Sequence, residues 1–154
     1  MKVKNTAFDR ILDTICWILV IGIPVFLLIN WKQIPDSIPM HYDAMGNVDR
    51  WGTKGELIVL PIITVIMCLF ISIIERFPQI WNTGVKVTEE NSGRVYRILK
   101  NMLKITKFLV VADFSFMTVN SLMARDLPVW FSPVFLGLVF GNLIFWIIKL
   151  VKVK

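Results

Sequence analysis

The sequence contains too few charged residues for an ordinary water-soluble domain. Only 18% of its 154 residues are charged, whereas 56% are hydrophobic. A typical soluble domain has about 25% charged residues, and this chain would have too little polar side-chain area to cover its surface in water. The composition therefore excludes a soluble globular protein and indicates a protein that is surrounded by lipid.

Cysteine and histidine are also scarce. Cys16 and Cys68 each lie within an apolar run, where a thiol behaves as a small hydrophobic group, and their spacing fits no zinc or redox motif. His41 is the only histidine, and no nucleophile accompanies it in a recognisable catalytic motif. We therefore expect no catalytic residue, no cofactor and no resident metal.

Internal repeats and Gly/Ser-rich linkers are absent, so residues 1–154 are expected to form a single domain. A helix of about 20 apolar residues crosses the hydrocarbon layer, because lipid offers no partner to an open backbone amide. The first apolar run is too long for a signal peptide and is expected to be retained. We predict an all-α integral membrane protein with four transmembrane helices, at residues 11–30, 57–74, 105–123 and 129–148.

The basic residues are distributed unevenly around these four predicted spans. Thirteen of the 17 lysines and arginines fall on one side of the membrane and four on the other. Short basic segments are retained in the cytoplasm during insertion, so both termini are predicted to be cytoplasmic and the loop at residues 31–56 to lie outside. Membrane topology thus accounts for the net charge of +6, and nucleic acid is not expected as a partner.

The connection before the third span has a helical pattern of its own. Apolar residues recur at helical spacing from Val95 to Leu103, and basic residues lie elsewhere around the same helix. We predict an amphipathic cytoplasmic helix at about residues 89–104. It either lies on or protrudes from the lipid surface, or it docks a cytoplasmic partner.

The predicted outer loop has two halves of different character. Pro35 and Pro39 each fix one backbone angle and favour extended conformations in the residues before them, so the first half is expected to be a stiff extended arm. Asp43, Gly46 and Asp49 lie in a second half that is rich in turn-forming residues. Gly46 is expected to adopt a positive φ, which other residues resist.

His41 and the charged residues near it have several interpretations. An imidazole exchanges a proton near neutral pH, but His41 can also form a hydrogen bond within the loop, contact a ligand, or join Asp36, Asp43 and Asp49 in a metal site. The metal site is disfavoured because zinc prefers several nitrogen or sulfur ligands and the calcium-loop spacing is incomplete. Asp49, Arg50 and Lys54 lie close in sequence and are expected to form a salt-bridged loop base. Alternatively, Asp49 and Lys54 orient a peptide or lipid headgroup.

Polar residues also occur inside the predicted spans. Asp113 lies within the third span, where an isolated carboxylate costs at least about 2.5 to 3.5 kcal/mol. Asn142 reaches a similar depth in the fourth span, so we predict a hydrogen bond between the two side chains. Alternatively, Asp113 is protonated, or it belongs to a pathway for protons or a substrate. Gly137 and Gly141 form a small-x-x-x-small pair, which permits internal helix packing or homo-oligomerisation.

The outer loop carries a resemblance to a known family. It rests on a series of residues between the first two predicted spans, namely Ile34-Pro35, Ile38-Pro39, His41-Tyr42, Gly46, Asp49 and Lys54. Over about residues 25–75, the chain resembles an uncharacterised bacterial membrane domain, domain-of-unknown-function family 1648. That domain occurs in short multi-pass proteins and at the N-terminus of SdpI-type immunity proteins. The resemblance implies a structured outer loop and location in the bacterial cell membrane, although Asp43 replaces the asparagine common in the family.

These observations lead to three functional hypotheses. The first is a non-enzymatic membrane protein, of immunity type or otherwise ligand-recognising, which binds a secreted peptide or a membrane partner. Its candidate binding residues are those of the outer loop: Pro35, Pro39, His41, Asp43, Gly46, Asp49 and Lys54. The second is an accessory subunit of a transporter or signalling complex, and the third is a metal-dependent membrane enzyme that uses His41.

Overall fold

The computed structural model describes residues 3–153, which are mostly helical. Four helices are present in this range: α1 (Ala7–Asn30), α2 (Val59–Arg76), α3 (Ser92–Leu122) and α4 (Phe131–Val151). Two antiparallel strands, β1 (Ser37–Tyr42) and β2 (Val48–Thr53), form a hairpin between α1 and α2. The predicted outer loop is therefore a small sheet rather than irregular chain.

In the described part of the chain, three helical segments are long and apolar enough to cross a membrane: Ala7–Gln33, Lys54–Arg76 and Phe131–Val151. They correspond to the first, second and fourth predicted spans. Their outer surfaces are apolar, and α4 in particular exposes large side chains such as Leu138 and Phe145. Lipid accommodates such a surface whereas water does not, which supports a membrane protein.

Helix α3 differs from the prediction of a fourth apolar span. The amphipathic segment and the third predicted span form one continuous helix, which is not among the segments apolar enough to cross a membrane. The physical reason is its position: α3 contacts α1, α2 and α4, so much of its surface faces other helices instead of lipid. Even Lys104 and Lys107 are buried there.

The apolar face predicted for residues 89–104 packs against the protein itself. Val95 and Leu99 form a cluster with Leu150 of α4, and Trp81 packs against them. At mid-bundle, a separate cluster contains both cysteines, which are buried and free. The four helices thus share a continuous set of internal contacts, with α3 at the centre.

Candidate functional site

The hairpin confirms the extended arm predicted for the first half of the loop. Pro39 lies buried within β1, whereas Pro35 is exposed before the strand begins. Strand pairing is irregular between Pro39 and Tyr42, where Pro39 has no N–H to contribute to the ladder. This irregularity lies beside His41, whose side chain is 65% exposed.

The turn that joins the two strands is organised by Asp43. Its carboxylate accepts hydrogen bonds from the backbone N–H groups of Met45 and Asn47, at 2.8 and 2.9 Å, and from the Asn47 side-chain amide at 2.9 Å. These bonds, led by that of the Asn47 side chain, hold the pKa of the Asp43 carboxyl below its ordinary value. Gly46 has a φ of 90°, which confirms the predicted positive angle. Asp43 therefore shapes the turn.

The tip of the hairpin is attached to the connection between α3 and α4. Leu127 N–H donates to the Gly46 carbonyl at 2.8 Å, and Val48 N–H donates to Asp126 Oδ1 at 2.8 Å. The backbones are so close that a Cβ on Gly46 would lie 3.0 Å from the Leu127 carbonyl oxygen. Glycine is thus required at position 46 by both its angle and its contact.

Tyr42 fixes the hairpin a second time, through a side chain that sequence analysis left out of the candidate site. Its hydroxyl lies 3.2 Å from Ser121 Oγ and accepts a hydrogen bond from Asn120 Nδ2 at 3.2 Å. Its ring packs with Leu127 and Phe131. The available signal was the polar end of the third predicted span, where Asn120 and Ser121 require hydrogen-bond partners once they are buried.

The charged loop residues form ion pairs whose partners differ in part from those expected. Asp49 does not pair with Lys54; its Oδ1 lies 2.6 Å from His41 Nδ1. Lys54 instead lies 2.9 Å from Asp36, and this ammonium holds the pKa of the Asp36 carboxyl below its ordinary value. A salt-bridged loop base is present, but Lys54 pairs with Asp36 and Arg50 pairs with Glu56. Asp49 reaches His41 instead, at the irregularity in strand pairing between His41 and Tyr42.

The outer surface of the hairpin displays charged and aromatic side chains. His41 and Asp49 are both substantially exposed, Arg50 lies 3.2 Å from Glu56, and Trp51 is 51% exposed. We call His41, Asp49, Arg50 and Trp51 the hairpin surface. Among residues 3–153, no group of three or more His, Cys, Asp or Glu side chains is arranged to hold a metal ion.

The predicted hydrogen bond between Asp113 and Asn142 was wrong. Asn142 Nδ2 donates to Thr106 Oγ1 at 3.0 Å, and Thr106 lies about 10 Å before Asp113 along α3 at the usual helical rise. The prediction counted residues from the cytoplasmic ends of the two spans, and it did not account for the shift of α4 along α3. Gly137 and Gly141 also make no close internal contact, since a Cβ at either position would meet nothing within 4 Å.

A buried charge cluster at the opposite end of the bundle was missed by sequence analysis. Lys104 Nζ lies 2.6 Å from Asp13 and 2.6 Å from Glu75, and Lys107 Nζ lies 2.7 and 2.9 Å from the same two residues. Both lysine side chains are only 3% exposed. The available signal was Asp13, a carboxylate inside a predicted span; the lysines had been used only to orient the chain.

Comparison with known proteins identifies the segment that carries the hairpin. Residues 18–65 match the family described as Domain of unknown function (DUF1648). The resemblance to this family is thus confirmed. The matched segment runs from α1 through the hairpin into α2. It includes the loop residues but excludes α3, α4 and their connection, which Tyr42 and Gly46 contact.

The chain is also similar to one archaeal protein. An uncharacterized protein from Archaeoglobus fulgidus is 35% identical over 66 residues, which cover 38% of this chain and 36% of the relative. The chain therefore matches only about a third of that relative's length. No solved structure matches the chain. Because this relative is archaeal, similar segments are not confined to bacteria.

Proposed function

We propose that this chain is a non-enzymatic membrane protein whose hairpin surface recognises a ligand outside the cell membrane, as in a protein of immunity or resistance type. The observation that carries the proposal is the double attachment of the hairpin, through Gly46 and through Tyr42, while the side chains of the hairpin surface stay exposed. A surface that is already ordered loses less entropy when a ligand binds.

The topology behind this proposal uses α3 as the fourth span. Its 31 residues extend about 46 Å at the helical rise, which exceeds the roughly 30 Å of the hydrocarbon layer. Contacts with α1, α2 and α4 shield its polar side chains. The distribution of basic residues then supports cytoplasmic termini and an external hairpin.

The composition of the hairpin surface favours a peptide or protein ligand. Arg50 and Trp51 belong to residue types that contribute strongly to protein interfaces, and the His41–Asp49 pair adds hydrogen-bonding groups beside them. Trp51 lies in β2 and not at a helix end, so it is free to contact a ligand as well as the lipid headgroups. A secreted, membrane-active peptide offers complementary apolar and charged groups.

A protection assay tests this proposal. The gene is expressed in a sensitive host, and growth is measured during challenge with a panel of membrane-active peptides. His41→Ala, Asp49→Ala and Trp51→Ala are expected to reduce any protection conferred by the unmodified protein, at equal membrane abundance. Lys32→Ala, an exposed change outside the hairpin, is the matched control. Full protection by all three hairpin variants would exclude the hairpin surface from recognition.

A second candidate function is that of an accessory subunit in a larger membrane complex. It is favoured by the open face of α4, where Gly137 and Gly141 leave room for close approach of another helix. Stable copurification with a second membrane protein that is lost in Gly141→Leu would support this role. A protein that purifies alone and still protects cells would favour the first proposal.

A further inference from the structure

A cleft of about 640 Å³ lies at the end of the bundle opposite the hairpin. It is formed where α1 begins and α2 ends, against the first half of α3. Within residues 3–153, the cleft is lined by the exposed ring of Trp17 and by five basic and two acidic side chains, namely Lys4, Arg76, Lys100, Lys104, Lys107, Asp13 and Glu75. The proposed recognition outside the membrane does not use this cleft.

The charges that line the cleft do not cancel. Lys104 and Lys107 are neutralised by Asp13 and Glu75, with which they form the buried charge cluster. The remaining three basic side chains, Lys4, Arg76 and Lys100, leave an excess of three positive charges. A concave surface with this excess concentrates anions.

Lys100 is the most unusual of the three. It is only 4% exposed, and its ammonium donates to the Val3 carbonyl at 2.6 Å and to Asn5 Oδ1 at 2.5 Å. Both acceptors are neutral, and the nearby Asp9 is paired with Arg97. The salt bridges found within residues 3–153 do not include Lys100. An ammonium has three donors, and two of them are used by acceptors within residues 3–153, which leaves the third for an anion.

The cleft is continuous with an apolar surface. Asp13 and Trp17 line both the cleft and a shallow depression along α1 that also includes Ile18, Ile21 and Gly22. An added Cβ at Gly22 would meet nothing within 4 Å, so the depression is open at this end. A molecule with an anionic head and an apolar tail matches the two surfaces together.

The level of the cleft agrees with such a molecule. Glu75 is the penultimate residue of α2, whose apolar sequence ends at Arg76. The charge cluster therefore lies where the apolar span gives way to polar chain, which is the depth of lipid headgroups. Basic pockets between membrane helices on the cytoplasmic side commonly bind anionic headgroups.

We propose that the cleft binds the phosphate of an anionic phospholipid, with Lys100 and Arg76 as its principal contacts and one acyl chain along the α1 depression. The buried ammonium of Lys100 gains a counter-charge in this arrangement, which offsets its cost of burial. The carboxylates of Asp13 and Glu75 do not repel the phosphate strongly, because Lys104 and Lys107 already neutralise them.

Lipid binding is tested on the full chain purified in a neutral detergent, by native mass spectrometry and thermal unfolding. Phosphatidylglycerol is expected to bind and to raise the unfolding midpoint, whereas phosphatidylcholine and inorganic phosphate are not. Arg76→Gln and Lys100→Gln are each expected to weaken phosphatidylglycerol binding about fivefold, as for loss of one basic residue near an anionic lipid surface. Lys86→Gln, which removes an exposed charge from the connection between α2 and α3, is the matched control.

Several results would overturn the proposal. Equal binding of phosphatidylglycerol and phosphatidylcholine would show that charge does not select the lipid, and equal stabilisation by inorganic phosphate would assign the cleft to a free anion. Unchanged affinity in Arg76→Gln would also contradict it. Arg76 is exposed, so Arg76→Gln is expected to fold and it tests the proposal even when Lys100→Gln does not fold. Protection against peptides is measured separately and does not affect the outcome.

Discussion

Replacement of Gly46 by alanine is expected to release the hairpin tip from the α3–α4 connection. Alanine at a φ of 90° costs about 1 to 2 kcal/mol, and its Cβ would lie 3.0 Å from the Leu127 carbonyl oxygen. The displacement this requires weakens the 2.8 Å bond from Leu127 N–H to the Gly46 carbonyl, at a cost of about 1 kcal/mol. The total is about 2 to 3 kcal/mol for local opening.

Amide hydrogen exchange measures this local opening directly. A loss of about 2 to 3 kcal/mol corresponds to roughly 30- to 150-fold faster exchange, which is expected at Leu127 and Val48 and not within α2. Gly55→Ala is the matched control, because the nearest atom to its added Cβ is 3.8 Å away and no positive φ is involved. Wild-type exchange at Leu127 in Gly46→Ala would refute the docking of the hairpin.

Three other changes test separate parts of the structure. Tyr42→Phe leaves Asn120 without one acceptor and is expected to destabilise the protein by about 1 to 2 kcal/mol in thermal unfolding; no change would show that the bond is dispensable. Lys107→Met leaves Asp13 and Glu75 with the single ammonium of Lys104, and the uncompensated negative charge is expected to cost about 3 to 5 kcal/mol, whereas Lys86→Met should stay within about 0.5 kcal/mol. Because the pKa of Asp43 is lowered in the folded state, its stabilisation of the turn is present above the unfolded value of about 3.9 and is lost as pH falls through the folded value. Amide hydrogen exchange, corrected for the intrinsic exchange rate at each pH, should therefore show that the turn opens below about pH 4. Asp43→Asn should reduce this pH dependence.

Local sequence features predicted the parts of the structure that depend on neighbouring residues. Three apolar runs became three helices able to cross a membrane, because hydropathy over about 20 residues is a property of the segment itself. The extended arm followed from the backbone restriction that proline imposes, and the positive φ of Gly46 followed from the backbone freedom of glycine. The pairing of the arm into a hairpin did not, since register depends on the second strand.

The contacts that join distant parts of the chain were not predictable in this way. Asp13, Glu75 and Lys104 come from three different helices, and their meeting depends on how each helix is rotated. The same limitation explains Asn142, which reaches Thr106 because α3 and α4 are shifted relative to each other. A lysine that flanks a span is an orientation signal in the sequence, yet Lys104 is also half of a buried ion pair.

Cysteine labelling in intact cells tests most directly whether the hairpin faces outward from the membrane. Cys16 and Cys68 are buried and are first replaced by serine or alanine, after which single cysteines are introduced at Met45 on the hairpin and at Lys86 between α2 and α3. The account predicts that a membrane-impermeant maleimide labels position 45 in intact cells and position 86 only after permeabilisation. Labelling of position 86 in intact cells, with position 45 protected, would contradict it.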